Sequence, residues 1–222
     1  MGVKERQERD REAVARAILD AARALFVAEG YHNVSIRKIA ERIEYSPAAI
    51  YSYFPSKDDI FYALAEEGFH LLFAPVDMPC EEGDLVAHIR RTFWRIYEFS
   101  RSHPEYFSLM FIDRTVPRIS KDWERFGFVR EMKVQIGAKI QRAIDAGHFP
   151  AGSHPDAIAR VLMTAMFGAA IGRLCQRAMP GEDLDALARD TLEAALTGLR
   201  TGFPTTYVPT HGSAESPSDA IE

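Results

Sequence analysis

The sequence predicts an all-α protein, with a small three-helix domain at the N-terminus and a larger helical domain after it. Apolar residues recur three and four positions apart along most of the 222 residues, which is the period of a helix. No long run of β-branched residues alternates with polar ones, as a half-buried strand would require. Apolar residues make up 47% of the chain, which is enough to bury a core.

The first helix is expected to begin at about Ala13 and to end at Gly30, a residue type that favours the position after a helix. Its inward face is formed by apolar residues at helical spacing: Ala13, Val14, Ala17, Ile18, Ala21, Ala22, Leu25 and Phe26. Residues 1–12 alternate in charge and are expected to form a flexible charged arm or a frayed extension of the helix.

Two short helices and a tight turn are expected over residues 35–57. Ser35 is a suitable N-cap for a helix over about 36–43, and Ser46 for one that begins at Pro47. Proline suits the first helical position because its missing N–H has no partner there. The second of these helices ends at a proline, residue 55, which completes a domain over residues 13–57.

The larger domain is expected over residues 58–202. Ser56 caps its first helix, which runs to about Phe73. Prolines and glycines separate the later helices, which are expected at about 84–102, 104–116, 119–146, 155–178 and 182–201. Residues 203–222 are rich in Pro, Thr, Ser and Gly and are expected to form a disordered tail.

The segment 35–57 has the organisation of a helix-turn-helix, whose second helix enters the major groove of DNA. Pro47, Ala48 and Ala49 are slim enough for close approach to base edges, and Tyr51 and Tyr53 carry hydroxyls suited to phosphate oxygens. The alternative is that the segment is only a tightly turned part of a helical bundle.

Basic residues near these helices complete the predicted DNA contacts. Arg37 could bind a guanine, while Lys38 and Lys57 could bind phosphates. The net charge of −5 does not favour nucleic acid, and the first sixty residues hold ten basic and ten acidic side chains. Positive charge must therefore be arranged locally. Ile50 and Phe54 supply the inward face of the second helix, which leaves its two tyrosines to point elsewhere.

The stretch from Ile18 to Leu64 resembles the N-terminal domain of the TetR family of bacterial transcriptional regulators. The features that match, in order and with fixed gaps, are Ile18–Phe26, Gly30-Tyr31, Ser35–Ala40, Ser46, Ile50-Tyr51, Tyr53-Phe54 and Ser56-Lys57. The resemblance implies a homodimer that binds a palindromic DNA operator, usually as a repressor, and releases it when a small molecule binds the C-terminal domain.

By the family pattern, base-facing positions are Arg37, Pro47, Ala48, Ala49 and Tyr51, and phosphate-contacting ones are Ser35, Lys38, Tyr51, Tyr53 and Lys57. Ser46 is included as the cap of the second helix. Two residues depart from the pattern, since glycine often stands in place of Glu44 and of Ala48. Glu44 therefore either adopts a positive φ at modest cost or sits in a turn of different shape.

Large apolar residues over 58–146 fill a helical core, and some of them could instead line an effector cavity. The residues predicted to line it are Phe69, Trp94, Tyr97, Met110 and Phe111. The effector is expected to be a hydrophobic or aromatic small molecule, because few buried charges are available for a polar one.

A homodimer interface is predicted from the last two helices, where small residues allow close helix contact. The residues predicted there are Ala165, Gly168, Ala169, Gly172, Leu192 and Leu196. The alternative is that these helices pair within one chain and leave a monomer.

Other functions have weaker support. Glu67 and His70 have the spacing of one half of a di-iron site, but no second Glu-x-x-His occurs, so neither an enzyme nor a metal or other cofactor is expected. A DNA-binding regulator without ligand control, acting as an activator or a constitutive repressor, stays possible. Two distant cysteines and the lack of a signal peptide or a membrane-spanning run indicate a cytoplasmic protein.

Overall fold

A computed structural model describes residues 2–74, 84–118, 124–175 and 181–202, and all regular elements within these ranges are helical. The prediction of an all-α fold is confirmed. The α-helices are α1 (Val3–Glu29), α2 (Ile36–Arg42), α3 (Pro47–Tyr51), α4 (Lys57–Phe73), α5 (Leu85–Ser102), α6 (Pro104–Phe107), α7 (Gly127–Asp145), α8 (Pro155–Leu174) and α9 (Leu184–Thr201). A 3₁₀ turn covers Tyr31–Asn33, and a π-helical turn covers Ser108–Ile112. The predicted tail over 203–222 lies outside the described residues.

Side-chain caps fix where several of the helices begin, among them α2, α3, α4 and α5. The side chains of Ser35, Ser46, Ser56 and Asp84 each accept a hydrogen bond from the backbone N–H three residues later. Each bond satisfies a donor that the first turn of a helix leaves without a partner. The predicted starts of α2, α3, α4 and α5 are therefore confirmed.

The first helix is longer than expected, since α1 begins at Val3 and not at about Ala13. The backbone N–H of Gly2 donates to Glu5 Oε2 at 2.9 Å, which caps this end. Arg9 also bonds back one turn, from Nε to the carbonyl of Glu5 at 3.4 Å. Charged side chains are compatible with a solvated helix, so the segment predicted as a flexible arm forms the first turns of α1.

Two apolar clusters build the core. The first cluster contains residues of α1, α2, α3, α4 and α6, together with residues of the π-helical turn and Phe126. It therefore packs the N-terminal helices against the larger domain. The second is formed mainly by α5, α7, α8 and α9. Phe69 of the first cluster and Phe93 of the second both line one cavity, which therefore lies where the two clusters meet.

Candidate DNA-binding surface and effector cavity

The turn between α2 and α3 is held by its own backbone. The N–H of Tyr45 donates to the carbonyl of Ala40 at 2.9 Å, which closes the turn onto α2. Glu44 adopts a φ of 60°, which is the first of the two alternatives predicted for this position. A side chain in this left-handed region costs about 1–2 kcal/mol, and the surrounding caps hold the conformation in place.

The tip of α3 projects into solvent. Pro47 and Ala48 are exposed and Ala49 is half-buried, while Ile50 is completely buried beneath them. The Tyr51 side chain is 54% exposed, which is unusual for a large aromatic residue next to a core position. As the sequence predicts, one face of α3 is buried. The opposite face, where the small side chains lie, is exposed and available to a partner.

The cations of α2 are engaged with nearby acids. Arg37 Nε donates to Glu41 Oε1 at 2.8 Å, and this hydrogen bond raises the pKa of the Arg37 guanidinium. The Lys38 ammonium pairs with Glu29 and also donates to the carbonyl of Asn33 at 3.4 Å. Both basic groups are exposed, so phosphates could compete for them.

Lys57 is turned into the fold, in contrast to its predicted phosphate contact. Its ammonium donates to the backbone carbonyls of Tyr31 and Val34, each at 2.9 Å. It also lies 4.1 Å from the centroid of the Tyr31 ring. Partial burial lowers the pKa of Lys57. The described contacts therefore give Lys57 the role of fastening the start of α4 to the turn after α1.

Two further side chains on this surface were not predicted. Tyr45 is 44% exposed in the turn, next to the tip of α3. The guanidinium of Arg11 lies 5.9 Å from the centroid of the half-buried Tyr53 ring. Tyr45 could have been found from its place in the turn, whereas Arg11 depends on the unexpected length of α1.

A cavity of about 490 Å³ lies between α4, α5, α7, α8 and the π-helical turn, within the size range of small-molecule sites. Among the predicted lining residues, Phe69 and Phe111 do face it. The full lining consists of Phe69, Leu72, Phe73, His88, Thr92, Phe93, Arg95, Ile96, Phe111, Val129, Met132, Lys133, Gln135, Ile136, Lys139, Met163 and Phe167.

Three of the predicted lining residues lie elsewhere. Trp94 and Tyr97 are on other faces of α5, and the Tyr97 hydroxyl donates to Asp185 Oδ1 of α9 at 2.7 Å. Met110 packs against α4 at Gly68, where a Cβ atom would stand 2.2 Å from its sulfur. These corrections have one cause, which is that helical spacing alone does not say which neighbour each face meets.

Polar residues that the sequence did not single out occupy part of the cavity wall. The basic ones are His88, Arg95, Lys133 and Lys139. Lys139 Nζ lies 2.8 Å from His88 Nε2, and Lys133 is exposed, so the cavity reaches solvent on that side. His88, Arg95 and Lys139 are half-buried and Lys133 is exposed, so none of the four basic side chains is fully buried.

Polar contacts connect the cavity walls to α1. Arg16 binds Glu67 of α4 through two hydrogen bonds of 2.8 and 3.0 Å. Arg23 Nη1 donates to the Tyr106 hydroxyl of α6 at 2.6 Å. Although burial would raise the pKa of Glu67, hydrogen bonds from Arg16 and Tyr106 hold it below its ordinary value.

The π-helical turn makes a second connection. Phe111 in this turn lines the cavity, while Asp113 just after it accepts a hydrogen bond from the backbone N–H of Tyr31 at 3.0 Å. Turns with π-helical geometry are often found at functional sites. Asp113, two residues after Phe111 of the cavity wall, thus contacts Tyr31, which is two residues after the last residue of α1.

The N-terminal residues match a known family. Residues 18–64 fit the family model described as "Bacterial regulatory proteins, tetR family". Over these residues the chain is similar to the DNA-binding domain of the TetR family. The members of that family are bacterial regulatory proteins.

Part of the chain is also similar to a described bacterial repressor. The HTH-type transcriptional repressor Rv1474c of Mycobacterium tuberculosis is 42% identical over 52 residues, which are 23% of this chain and 28% of the relative. The chain thus spans less than a third of that relative.

Two solved structures share the fold. The fatty acid degradation regulator FadR from Bacillus halodurans has a TM-score of 0.65 at 16% identity, covering 84% of this chain and 96% of that one. The SmeT–triclosan complex has a TM-score of 0.64 at 22% identity, covering 90% and 98%.

The predicted dimer surface of this chain is only partly exposed. Leu192 and Leu196 are buried in the second cluster, at 2% and 1% exposure, so they cannot also face a partner. Gly168 is exposed on α8, as are Ile171 and Leu187. The other predicted residues, Ala165, Ala169 and Gly172, are half-buried.

The residues that suggested a di-iron site have other partners. Glu67 binds Arg16, as described above, and the His70 ring stacks on Phe128 with 4.6 Å between centroids. No cluster of His, Cys, Asp or Glu within the described ranges could hold a metal ion.

By length and composition, α8 is apolar enough to cross a membrane, contrary to the expectation that no segment is. A single such helix is weak evidence, because core helices of soluble proteins pass the same test. In this structure 28% of its apolar stretch is buried, which leaves much of α8 open to another helix.

Proposed function

We propose that this chain is a ligand-responsive transcriptional repressor, which binds a palindromic operator as a homodimer in the cytoplasm and is released by a small molecule. The observation that carries the proposal is the exposed tip of α3. A helix with Pro47 and Ala48 at its outer end and Tyr51 beside them can enter a major groove without steric conflict.

The contacts with DNA are divided between bases and phosphates. Arg37, Ala48 and Ala49 lie toward the bases, with the alanine methyls suited to thymine methyl groups. Tyr51 and Lys38 lie toward the backbone. Because Lys38 pairs with Glu29 in the free chain, operator binding exchanges an internal carboxylate for a phosphate.

The dimer is formed through α8 and α9. Their outer surface carries Gly168, Ile171 and Leu187, with the two large residues 41% and 55% exposed, and a second copy would cover them. No atom lies within 4 Å of a Cβ placed on Gly168, so a partner helix could approach closely there. A two-fold dimer would present its α3 helices about 34–36 Å apart, on successive major grooves of one face.

Effector binding changes DNA affinity through the elements that line the cavity. Phe69 of α4 and Phe111 of the π-helical turn form its walls. Glu67 of α4 binds Arg16 of α1, and Asp113, just after the π-helical turn, binds the backbone N–H of Tyr31, just after α1. A ligand that prefers a shifted position of these elements would move the α3 helices apart or together. By reciprocity, its affinity must then fall when the operator is bound.

Similar proteins support this proposal. Rv1474c is described as a repressor, and SmeT was solved as a complex with triclosan. The cavity described above lies in the larger domain of this chain and is large enough for a molecule of drug size.

The test is operator binding by Tyr51→Ala. An operator is first selected from random DNA with the purified chain, and affinity is then measured by mobility shift. Two lost contacts per dimer should weaken binding about ten- to a hundredfold. Leu71→Ala, an exposed apolar residue on α4, is the matched control and should bind normally. Tight binding by a folded, dimeric Tyr51→Ala protein would refute the assignment of α3.

A further inference from the structure

The cavity combines aromatic walls with an excess of positive charge. Five phenylalanines line it: Phe69, Phe73, Phe93, Phe111 and Phe167. Three side chains that are basic at neutral pH, Arg95, Lys133 and Lys139, also line it, and none of the lining residues within the described ranges is acidic. A neutral apolar ligand would bring no anion to these cations.

One of these three charges, that of Lys139, lies at the end of the cavity where α5 begins. His88 is in the first turn of α5 and lies 2.8 Å from Lys139 Nζ of α7. Both side chains are half-buried. Burial, and then the charges of Lys139, Arg91 and Arg142, lower the pKa of His88. The potential at this point is therefore positive, and the positive end of the α5 dipole adds to it.

The other basic residues of the lining are placed differently. The Arg95 guanidinium donates to the carbonyl of Ala74, while Lys133 is exposed at the solvent side. Arg95 follows His88 by seven residues, which is about 10 Å along a helix. A small ligand that reaches Lys139 therefore places its remaining atoms beside the apolar middle of the cavity.

We propose that the effector is an aromatic carboxylic acid, with its carboxylate bound by Lys139 and His88 and its ring system held among the phenylalanines. This rests on the proposed function only in taking the cavity as the effector site. A carboxylate stabilises a half-buried ammonium more than a neutral acceptor does, since charge-assisted hydrogen bonds are stronger than neutral ones. The phenylalanines supply edge and face contacts for a ring.

The test compares two probes that differ in charge and little in shape, 2-naphthoate and 2-naphthamide. Calorimetry with the full chain, without DNA, should show that naphthoate binds at least about tenfold more tightly, as one charge-assisted contact provides. In Lys139→Met, which keeps the apolar stem, the two affinities should become equal. Lys139→Gln provides a second variant, and both are checked for folding by thermal melts.

Arg130→Met is the matched control, because it removes an exposed cation from the same helix outside the cavity lining. It should keep the preference for naphthoate. The proposal is overturned if wild type binds both probes equally, if neither probe binds, or if Lys139→Met keeps the preference. Operator binding is measured separately. The carboxylate-binding proposal can therefore fail while the DNA-binding proposal holds, and the DNA-binding proposal can fail while the carboxylate-binding proposal holds.

Discussion

Basic side chains have different partners on the candidate DNA-binding surface and in the cavity. On α2 the basic side chains have acidic neighbours, as Arg37 has Glu41 and Lys38 has Glu29. In the cavity, Lys139 contacts an imidazole, and no acid is among the described lining residues. An exposed pair contributes little and exchanges partners easily, whereas a half-buried cation is stabilised strongly by an anion. The first arrangement suits reversible binding to DNA, and the second suits selection of one ligand.

The largest effect is expected from a substitution of Lys57. This substitution distinguishes cations that stabilise the fold from cations that bind DNA. Lys57→Met removes two hydrogen bonds to backbone carbonyls and should lower the free energy of unfolding by about 1–2 kcal/mol, after allowance for solvent screening. Urea unfolding measures this. The salt dependence of operator binding should stay unchanged.

Lys38→Met is the matched comparison for Lys57. It should cost less than about 1 kcal/mol of stability, because its pair with Glu29 is exposed, and it should reduce the salt slope by about one per subunit. If the two variants exchange these results, Lys57 is the phosphate contact after all.

Removing the acid that competes with phosphate should have a smaller effect. Glu29→Gln releases Lys38, so operator affinity should rise about two- to tenfold for a dimer, as expected for two exposed pairs. Fluorescence anisotropy over a range of KCl concentrations measures it, with a steeper salt dependence expected. An unchanged affinity would mean that Lys38 stays away from the DNA.

The smallest effect concerns pH and the cavity. The pKa of His88 is lowered in the free chain and should rise when a carboxylate binds beside it, so binding takes up a proton. Naphthoate affinity should then increase as pH falls from 8 to 6, by up to about tenfold per unit of pKa change. The increase should be absent in His88→Gln, and a dependence that survives there would point to another group.

The same contrast explains what could be predicted from the sequence. The helix starts at Ser35, Ser46 and Ser56 depend on contacts within three residues, so local signals were enough. The pairing of His88 with Lys139 joins residues 51 positions apart and depends on how α5 packs on α7. No spacing in the sequence indicates it.

At two places a local pattern is compatible with more than one partner. The apolar stripe of α9 was recognised, but Leu192 and Leu196 are covered by their own chain and not by a second copy. Lys57 was placed correctly at the start of α4, yet its long side chain bends back to Tyr31 and Val34. Sequence periodicity identifies a buried face without saying what covers it.

The left-handed glutamate in the turn between α2 and α3 offers a route for protein engineering. Glu44→Gly would relieve a backbone conformation that disfavours any side chain, and it would also take an anion away from the operator. Neither change touches the cavity. Heat tolerance and promoter occupancy could therefore be raised together in a biosensor, while the choice of inducer is tuned separately at Lys139.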